Sequence, residues 1–242
     1  RVPGGTVVEP TAGNTGVGFA LAAGQLDVEA VFVVPGRFSV EKQQLMRALG
    51  AEVVNTPTDD GMEGAIHRAH EIAAERDGIV PQQFSNPLNA EAHYETTAPE
   101  IDEALDGEVG AVVAGCGTAG TLMGLARYFR EREPGTFVSA VEPEGSVYRR
   151  FVGEDPEHGG YKTEGIGTSN TATNQLFDVD LVSEIATVTD ERAQAELKRL
   201  AREEGQLVAS SSGAASVAAL DVAHRIRDGE IDVPYDSVVT VF

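Results

Sequence analysis

Two loops of the 242-residue chain combine glycines with hydroxyl and amide side chains where a predicted strand gives way to a predicted helix. The first reads Glu9-Pro-Thr-Ala-Gly-Asn-Thr-Gly16 and the second reads Gly115-Cys-Gly-Thr-Ala-Gly-Thr121. Backbone N–H groups at a helix start lack an intrahelical partner, so each loop suits a carboxylate or a phosphate. The alternative is ordinary capping, in which Thr11 or Asn14 satisfies the first helical turn.

The second loop leaves a further alternative open. Its glycines allow a phosphate to approach the backbone, and its threonines add hydroxyl donors. Gly115-x-Gly117-x-x-Gly120 also fits the dinucleotide-binding spacing, although a lone match of this kind has low specificity. Glu142 is the one acidic residue placed to bind a ribose after the next strand. A nucleotide-binding oxidoreductase therefore remains a rival.

Three other polar features have structural interpretations that we favour over functional ones. The run Ser210-Ser-Ser-Gly213 is typical of a helix N-cap. His67 and His70 are three residues apart and could share a metal, but a solvated helix face explains them better, so we predict no metal site. Cys116 has no histidine adjacent in sequence to activate it, and a small residue in a tight turn is the better interpretation.

Charge excludes two classes of partner. The chain has 18 Lys+Arg against 39 Asp+Glu, a formal charge of −21, which repels nucleic-acid phosphates and anionic membrane surfaces. Only Lys42, Lys162 and Lys198 are lysines. This acidic, lysine-poor composition indicates a salt-rich cytoplasm, where screening shortens charge repulsion. A single cysteine fits a reducing compartment.

The elements that position these loops alternate along the chain. Because fully apolar strands lie between amphipathic helices, the pattern predicts an α/β protein with parallel sheets covered on both faces. Segment 145–174 is polar and glycine-rich and predicts a loop, and a domain boundary is expected near 83–87. The predicted strands are 6–9, 30–34, 52–54, 79–80, 109–114, 136–141, 184–188 and 237–242. The predicted helices are 16–25, 40–49, 62–76, 90–105, 122–131, 190–204 and 214–227.

Six motifs in order resemble the cysteine synthase and cystathionine β-synthase family, which are pyridoxal 5'-phosphate (PLP) enzymes of fold type II. The resemblance spans essentially the whole chain. The matching residues are Glu9 to Gly16, Gln83-Phe84 with Asn86-Pro87 and Asn89, His93 through Thr96-Thr97 to Glu100-Ile101, Gly117 to Thr121, Glu164-Gly-Ile-Gly167, and Ser211-Ser-Gly-Ala-Ala215.

The resemblance implies two three-layer αβα domains like those of the tryptophan synthase β subunit, incomplete here at both ends. Residues 1–85 would form a smaller domain that binds the substrate carboxylate. Residues 86–242 would form a larger domain that binds the PLP phosphate. A cytoplasmic homodimer is expected, with small-molecule partners and neither nucleic acid nor membrane.

The resemblance also assigns residues. The residues implied for the substrate are Thr11, Ala12, Gly13, Thr15, Gln83 and Gly165. The residues implied for the cofactor are Asn14 at the ring hydroxyl, Gly117, Thr118, Ala119, Gly120 and Thr121 at the phosphate, and Ser211 at the pyridine nitrogen. A neutral hydroxyl at that nitrogen makes the ring a weaker electron sink than an aspartate would, which favours β-elimination over transamination.

The implied reaction is β-replacement on O-acetylserine, O-phosphoserine or serine, with sulfide giving cysteine. Homocysteine as the thiol is the cystathionine β-synthase alternative, and Glu142-Pro-Glu-Gly-Ser146 looks somewhat like that branch. A relative that binds PLP or an amino acid without turnover is a third possibility.

Three departures from the family pattern matter. Ala12 stands where a serine is commoner, and Ala119 where the phosphate cup commonly has glycine. The family carries the lysine that binds PLP covalently upstream of the first loop, and no lysine lies between Arg1 and Thr11. We therefore expect a longer protein with that lysine before Arg1, and no catalytic lysine in these 242 residues.

Overall fold

A computed structural model describes residues 4–11, 13–36 and 40–242, and its backbone contacts separate into two units, Arg1–Gln83 and Phe84–Phe242. Each unit is built on its own parallel sheet.

The first unit is a three-stranded parallel sheet in the order β1-β2-β3. Val8 of β1 pairs with Val31 of β2, and Val33 of β2 pairs with Val54 of β3. The strands are β1 Thr6–Pro10, β2 Glu29–Pro35 and β3 Glu52–Thr56. The helices are α1 Asn14–Leu26, α2 Val40–Ala48 and α3 Gly61–Glu75, with a 3-10 turn at Thr58–Asp60.

The central strand β2 is apolar at consecutive positions because helices pack on both of its faces. Val31 and Val33 pack with Ile72 of α3, whereas Phe32 and Val34 belong to the cluster that includes Met46 of α2. Successive side chains of a strand point to opposite faces. Both faces of β2 are therefore covered by helices, as the unbroken hydrophobic run predicted.

The second unit is a four-stranded parallel sheet in the order β6-β5-β4-β7. Its strands are β4 Ala111–Gly115, β5 Phe137–Pro143, β6 Glu184–Val188 and β7 Val238–Thr240. Its helices are α4 Leu88–Ala92, α5 Ala98–Ala104, α6 Gly120–Arg132, α7 Asp190–Arg199 and α8 Ser210–Arg227. Single π-helical turns are His93–Thr97 and Leu200–Glu204, and 3-10 turns are Tyr148–Val152, Thr171–Thr173 and Val179–Leu181.

The core of this unit has two halves, one on each face of the sheet. Val112 of β4 clusters with Leu125 of α6, while Val113, the next residue along the strand, clusters with Val217 and Ala218 of α8. The carboxyl end of β4 leads directly into the second glycine-rich loop. The sheet therefore positions that loop at the start of α6.

Two expectations about elements are wrong. Residues 79–80 do not form a strand, because Ile79 makes only an isolated parallel bridge to Val7. The serine run is not an N-cap, because α8 begins at Ser210 and its N-cap is Ala209. The segment 145–174 is irregular as predicted, apart from the short 3-10 turns at Tyr148–Val152 and Thr171–Thr173.

Candidate active site

The first loop joins β1 to α1 and leaves the start of that helix without a side-chain cap. Thr11 is buried, and its Oγ1 accepts from the Gly13 N–H at 3.3 Å. The N-cap of α1 is Gly13, which has no side chain to accept a bond. The capping alternative is therefore wrong, because the N-cap of α1 is Gly13 rather than Thr11 or Asn14. Asn14 and Thr15 form the first turn, and Ala12 lies outside the described residues.

Gly16 sets the close packing of this loop. A Cβ atom at Gly16 would lie 2.8 Å from the Thr11 Cγ2 atom and 2.9 Å from the Met46 sulfur. Only glycine therefore lets the first turn of α1 approach both side chains at this distance. The close packing places Thr11 beneath the helix start.

Gln83, the predicted carboxylate ligand, is held against the same loop. Its Nε2 donates to the Pro10 carbonyl at 2.9 Å, and Pro10 immediately precedes Thr11. The side chain is 9% exposed. The structure thus brings Gln83 to the loop that contains Thr11, Gly13 and Thr15.

The second loop forms a cup at the start of α6. Ala119 is the N-cap of α6 and has φ +70°, in the left-handed region that costs an L-residue about 1–2 kcal/mol. The family's usual glycine would avoid this cost. Gly120 begins the helix, and the Asn89 side chain occupies the space that a Cβ atom at Gly120 would fill.

Side chains from one helical segment hold both cup threonines, a feature that sequence reasoning missed. Asn89 Nδ2 donates to Thr118 Oγ1 at 3.0 Å. The Nε2 atom of His93 lies 3.0 Å from Thr121 Oγ1, and its Nδ1 atom lies 2.9 Å from Thr97 Oγ1. The spacing of four residues between Asn89 and His93 was the available signal, because it places both on one helix face.

The carbonyl of Gly117 is fixed by the segment predicted to be a loop. Tyr148 Oη donates to it at 2.7 Å and Asn174 Nδ2 donates at 2.6 Å. Thr168 Oγ1 in turn donates to Asn174 Oδ1 at 2.8 Å. Burial raises the pKa of Tyr148 well above its ordinary value, so the phenol stays a neutral donor. This polar network rigidifies the base of the cup.

Gly165 and Ser211 lie close together in the same unit. A Cβ atom at Gly165 would lie 3.8 Å from Ser211 Oγ, and Gly165 has φ +89°. The Glu164 N–H donates to Ser210 Oγ at 3.3 Å. The N-terminal turn of α8 thus presents Ser211 beside the loop that carries Gly165.

The three helices at these sites share one property. Their N-caps are Gly13, Ala119 and Ala209, none of which has a polar side chain. By contrast, α7 has the conventional cap Thr189, whose Oγ1 accepts from the Arg192 N–H at 3.2 Å. The N-cap side chains of the three helices therefore accept no bond from the first turn, although the Gly16 N–H donates to the Gly13 carbonyl and the Gly120 N–H to Thr118 Oγ1. A helix N-terminus favours an anion.

The remaining candidate nucleophiles and ligands do not form a second site. Burial, which comes first, and the nearby Glu142 charge raise the pKa of Cys116 far above its ordinary value, so its thiol is inert. Lys162 and Lys198 are exposed, and Lys42 is half-buried on α2. Among the described residues no three potential metal ligands come together.

We predict a pH-dependent role for His93. Burial lowers its pKa, and a neutral ring donates to one threonine while it accepts from the other. At pH 8, His93→Gln should lose about 1 kcal/mol of unfolding free energy. A depressed histidine pKa gives stability that is complete above the unfolded pKa of about 6.5 and is lost as pH falls. In urea titrations, the difference in unfolding free energy between wild type and variant should therefore become smaller below pH 6.5. A constant gap from pH 8 to pH 5 would contradict the prediction.

The second unit thus combines a parallel sheet with a glycine–threonine cup at a helix start, an arrangement that suits a phosphate. The family described as "Pyridoxal-phosphate dependent enzyme" matches residues 1–242. The chain belongs to this family, and its cofactor is PLP. The resemblance seen in the sequence is confirmed, and the nucleotide-binding alternative loses its support.

Similar proteins place the chain more finely. A cysteine synthase from Helicobacter pylori is 44% identical over 238 residues, 98% of this chain and 74% of that protein. An O-acetylserine dependent cystathionine beta-synthase from Bacillus subtilis is 43% identical and covers 99% of this chain and 74% of its own length. A crystal structure of the O-acetylserine dependent cystathionine beta-synthase from Helicobacter pylori has a TM-score of 0.87 at 43% identity, covering 100% of this chain and 75% of that one.

A second solved structure supports the same fold. The cysteine synthase of Entamoeba histolytica has a TM-score of 0.87 at 32% identity, over 99% of this chain and 68% of that one. The predicted α/β class of fold-type II PLP enzymes is therefore confirmed. Within the described residues no helix is long and apolar enough to cross a membrane.

Proposed function

We propose that the chain is the core of a cysteine synthase that replaces the β-substituent of O-acetylserine with sulfide. The observation that carries the proposal is the pair of uncapped helix starts, one in each unit, each preceded by a loop of hydroxyl and glycine residues. One suits a substrate carboxylate and the other a cofactor phosphate. The relatives named cysteine synthase support this choice of reaction.

The first unit binds the substrate carboxylate in this proposal. The Thr15 N–H and the hydroxyls of Thr11 and Thr15 are donors around the start of α1, and the Gly13 N–H donates to Thr11 Oγ1 and so orients that hydroxyl. The Gln83 amide, held beside Pro10, completes the set. All these groups are neutral, so a chain of charge −21 binds an anion here by directed hydrogen bonds rather than by opposite charge.

The second unit holds PLP, and the residues present fit its phosphate. The backbone from Gly117 to Gly120 curves into the start of α6, and the hydroxyls of Thr118 and Thr121 are held in place by Asn89 and His93. When bound, PLP acts as an electron sink that weakens bonds at the substrate α-carbon. Ser211 at the pyridine nitrogen supplies a neutral hydroxyl and limits that sink, which favours loss of the β-substituent. Asn14 at the ring hydroxyl and Gly165 at the amino group complete the assignment.

Substrate choice tests the proposal. The full-length protein, loaded with PLP, should be assayed with serine, O-acetylserine and O-phosphoserine as the amino-acid substrate and with sulfide and homocysteine as the thiol. We expect the highest kcat/KM for O-acetylserine with sulfide. The runner-up is homocysteine as the thiol, which the Bacillus subtilis relative's name favours. Turnover with no pair would overturn the proposal and leave a non-catalytic binder.

Part of the proposal is that none of Lys42, Lys162 and Lys198 attaches PLP covalently. The 242-residue chain should be mixed with PLP, reduced with borohydride and analysed by peptide mass spectrometry. We expect no PLP adduct at Lys42, Lys162 or Lys198. A stoichiometric adduct at any of them would place the attachment site within these residues.

We also propose that the protein works in the salt-rich cytoplasm of a halophile, as a homodimer. All but three of its 39 acidic side chains, the exceptions being Glu9, Glu142 and Glu196, are at least partly exposed. Surface ion pairs weaken in salt, but at a net charge of −21 the repulsion that salt screens is the larger effect.

A thermal melt tests the salt prediction. In molar KCl the Tm should rise by at least about 5 °C relative to dilute buffer, which corresponds to about 2 kcal/mol in a chain of this size. Equal melting temperatures in the two solutions would contradict it. Sedimentation of the same samples tests the homodimer.

A further inference from the structure

Glu9 is a buried carboxylate to which the proposed function assigns no task. It is the second-last residue of β1, and its exposed fraction is 0%. Burial raises its pKa, against the opposing effect of the backbone bonds from Gln83 and Gln82. Burying a carboxylate costs free energy unless both oxygens accept hydrogen bonds, so the partners of the Glu9 oxygens are the feature to explain.

Both Glu9 oxygens accept backbone N–H groups from one dipeptide. Oε2 accepts from the Gln82 N–H at 3.0 Å, and Oε1 accepts from the Gln83 N–H at 3.1 Å. These residues are 73 and 74 positions away in the chain. One side chain therefore fixes two consecutive peptide groups at the end of the first unit.

The dipeptide is in a conformation that requires such a restraint. Gln82 has φ +63°, in the left-handed region that L-residues adopt at a cost. A non-glycine residue persists there only when its surroundings hold it. The two hydrogen bonds that Glu9 accepts from Gln82 and Gln83 are a direct restraint of this kind.

The result of the restraint is the position of Gln83. The backbone N–H of Gln83 donates to Glu9 Oε1, and its side-chain Nε2 donates to the carbonyl of Pro10, the residue after Glu9. Thr11 follows immediately. Two consecutive residues of β1 thus align Gln83 with the loop that begins at Thr11.

We propose that Glu9 is a positioning residue for the substrate carboxylate, because it holds the Gln82–Gln83 backbone so that the Gln83 amide lies beside the Thr11 loop. The inference rests on the proposed function, since it takes Gln83 and the loop as the carboxylate ligands. Glu9 itself does not touch substrate. Its removal should weaken substrate binding and leave the chemical step and PLP binding nearly unchanged.

Glu9→Gln in the PLP-loaded protein tests this role. The variant keeps the side-chain shape but places an amide donor against a backbone donor. We expect the KM for O-acetylserine to rise about tenfold, the effect of one lost hydrogen bond to a charged group, with kcat and the PLP Kd within about twofold. Amide exchange at Gln82 and Gln83 should accelerate. The control Glu52→Gln makes the same chemical change at an exposed carboxylate paired with Arg76 and should leave the KM unchanged.

A rescue variant separates positioning from simple stabilisation. Adding Gln82→Gly to Glu9→Gln removes the conformational cost at residue 82 and should bring the KM at least halfway back, on a logarithmic scale. An unchanged KM in Glu9→Gln, or a KM that the glycine does not restore, would overturn the inference. If wild type turns over no serine derivative, the proposed function fails on its own. The exchange rates at Gln82 and Gln83, which need no turnover, then decide whether Glu9 holds them, and unchanged rates would overturn the inference.

Discussion

Gly117→Ala is expected to weaken PLP binding about 100-fold or more, the equivalent of losing two charge-assisted hydrogen bonds at about 1.5 kcal/mol each. A Cβ atom at Gly117 would collide with the carbonyl oxygen of Gly165, and Gly165 lies on a loop that is itself bonded to the cup through Gly167 N and Cys116 O at 2.6 Å. The methyl group therefore pushes the Gly165 loop and the cup apart. Overpacking of this kind should also lower the unfolding free energy by about 1–3 kcal/mol.

Equilibrium dialysis of PLP against wild type and variant measures this effect. Gly160→Ala is the matched control, because a Cβ atom there would meet nothing within 4 Å. The control should bind PLP as wild type does. A Gly117→Ala variant whose PLP Kd stays within threefold of wild type would show that Gly117 is not part of the phosphate site.

Thr121→Val is expected to have the second-largest effect, a loss of about 10- to 100-fold in PLP affinity, since one hydrogen bond to an anion contributes about 1.5–3 kcal/mol. Valine matches threonine in shape but removes the hydroxyl that lies 3.0 Å from His93 Nε2. The phosphate loses a donor, and the histidine loses its partner. Both changes act in the same direction.

Thr121→Ser distinguishes the hydroxyl from the packing. Serine keeps the oxygen and deletes a methyl group, so its PLP Kd should remain within about threefold of wild type. If serine and valine weaken PLP binding equally, the methyl group rather than the hydroxyl is responsible, and the assignment of Thr121 to the phosphate is wrong.

Much of the fold could be predicted because its signals are local. Strands β2 and β4 are buried on both faces, and each is therefore visible in the sequence as a run of consecutive apolar residues. The two glycine-rich loops could be located in the same way, since a strand before them and a helix after them are each visible within about ten residues. The predicted strand at 79–80 was wrong because Ile79 pairs with β1 through only one isolated bridge, to Val7.

The supporting roles of Glu9 and Asn174 could not be predicted, because their partners are distant in sequence. Glu9 accepts hydrogen bonds from Gln82 and Gln83, which lie more than seventy residues away in the chain, and Asn174 donates to Gly117, which lies 57 residues away. Nothing in the local pattern around Glu9 indicates that its side chain is bonded to two N–H groups. The serine run was misassigned for a related reason: hydroxyls before a helix usually cap it, but here Ala209 takes the cap and Ser211 lies within the first turn.

We propose, above all, that neutral groups at uncapped helix starts bind PLP and a serine derivative for β-replacement. Cysteine formation from O-acetylserine and sulfide, measured with the full-length protein while PLP is titrated into the apoprotein, tests it most directly. We expect no cysteine without PLP, saturation at one PLP per chain, and one acetate released for each cysteine formed. Cysteine formation that is independent of PLP, or PLP saturation without any cysteine, would contradict it.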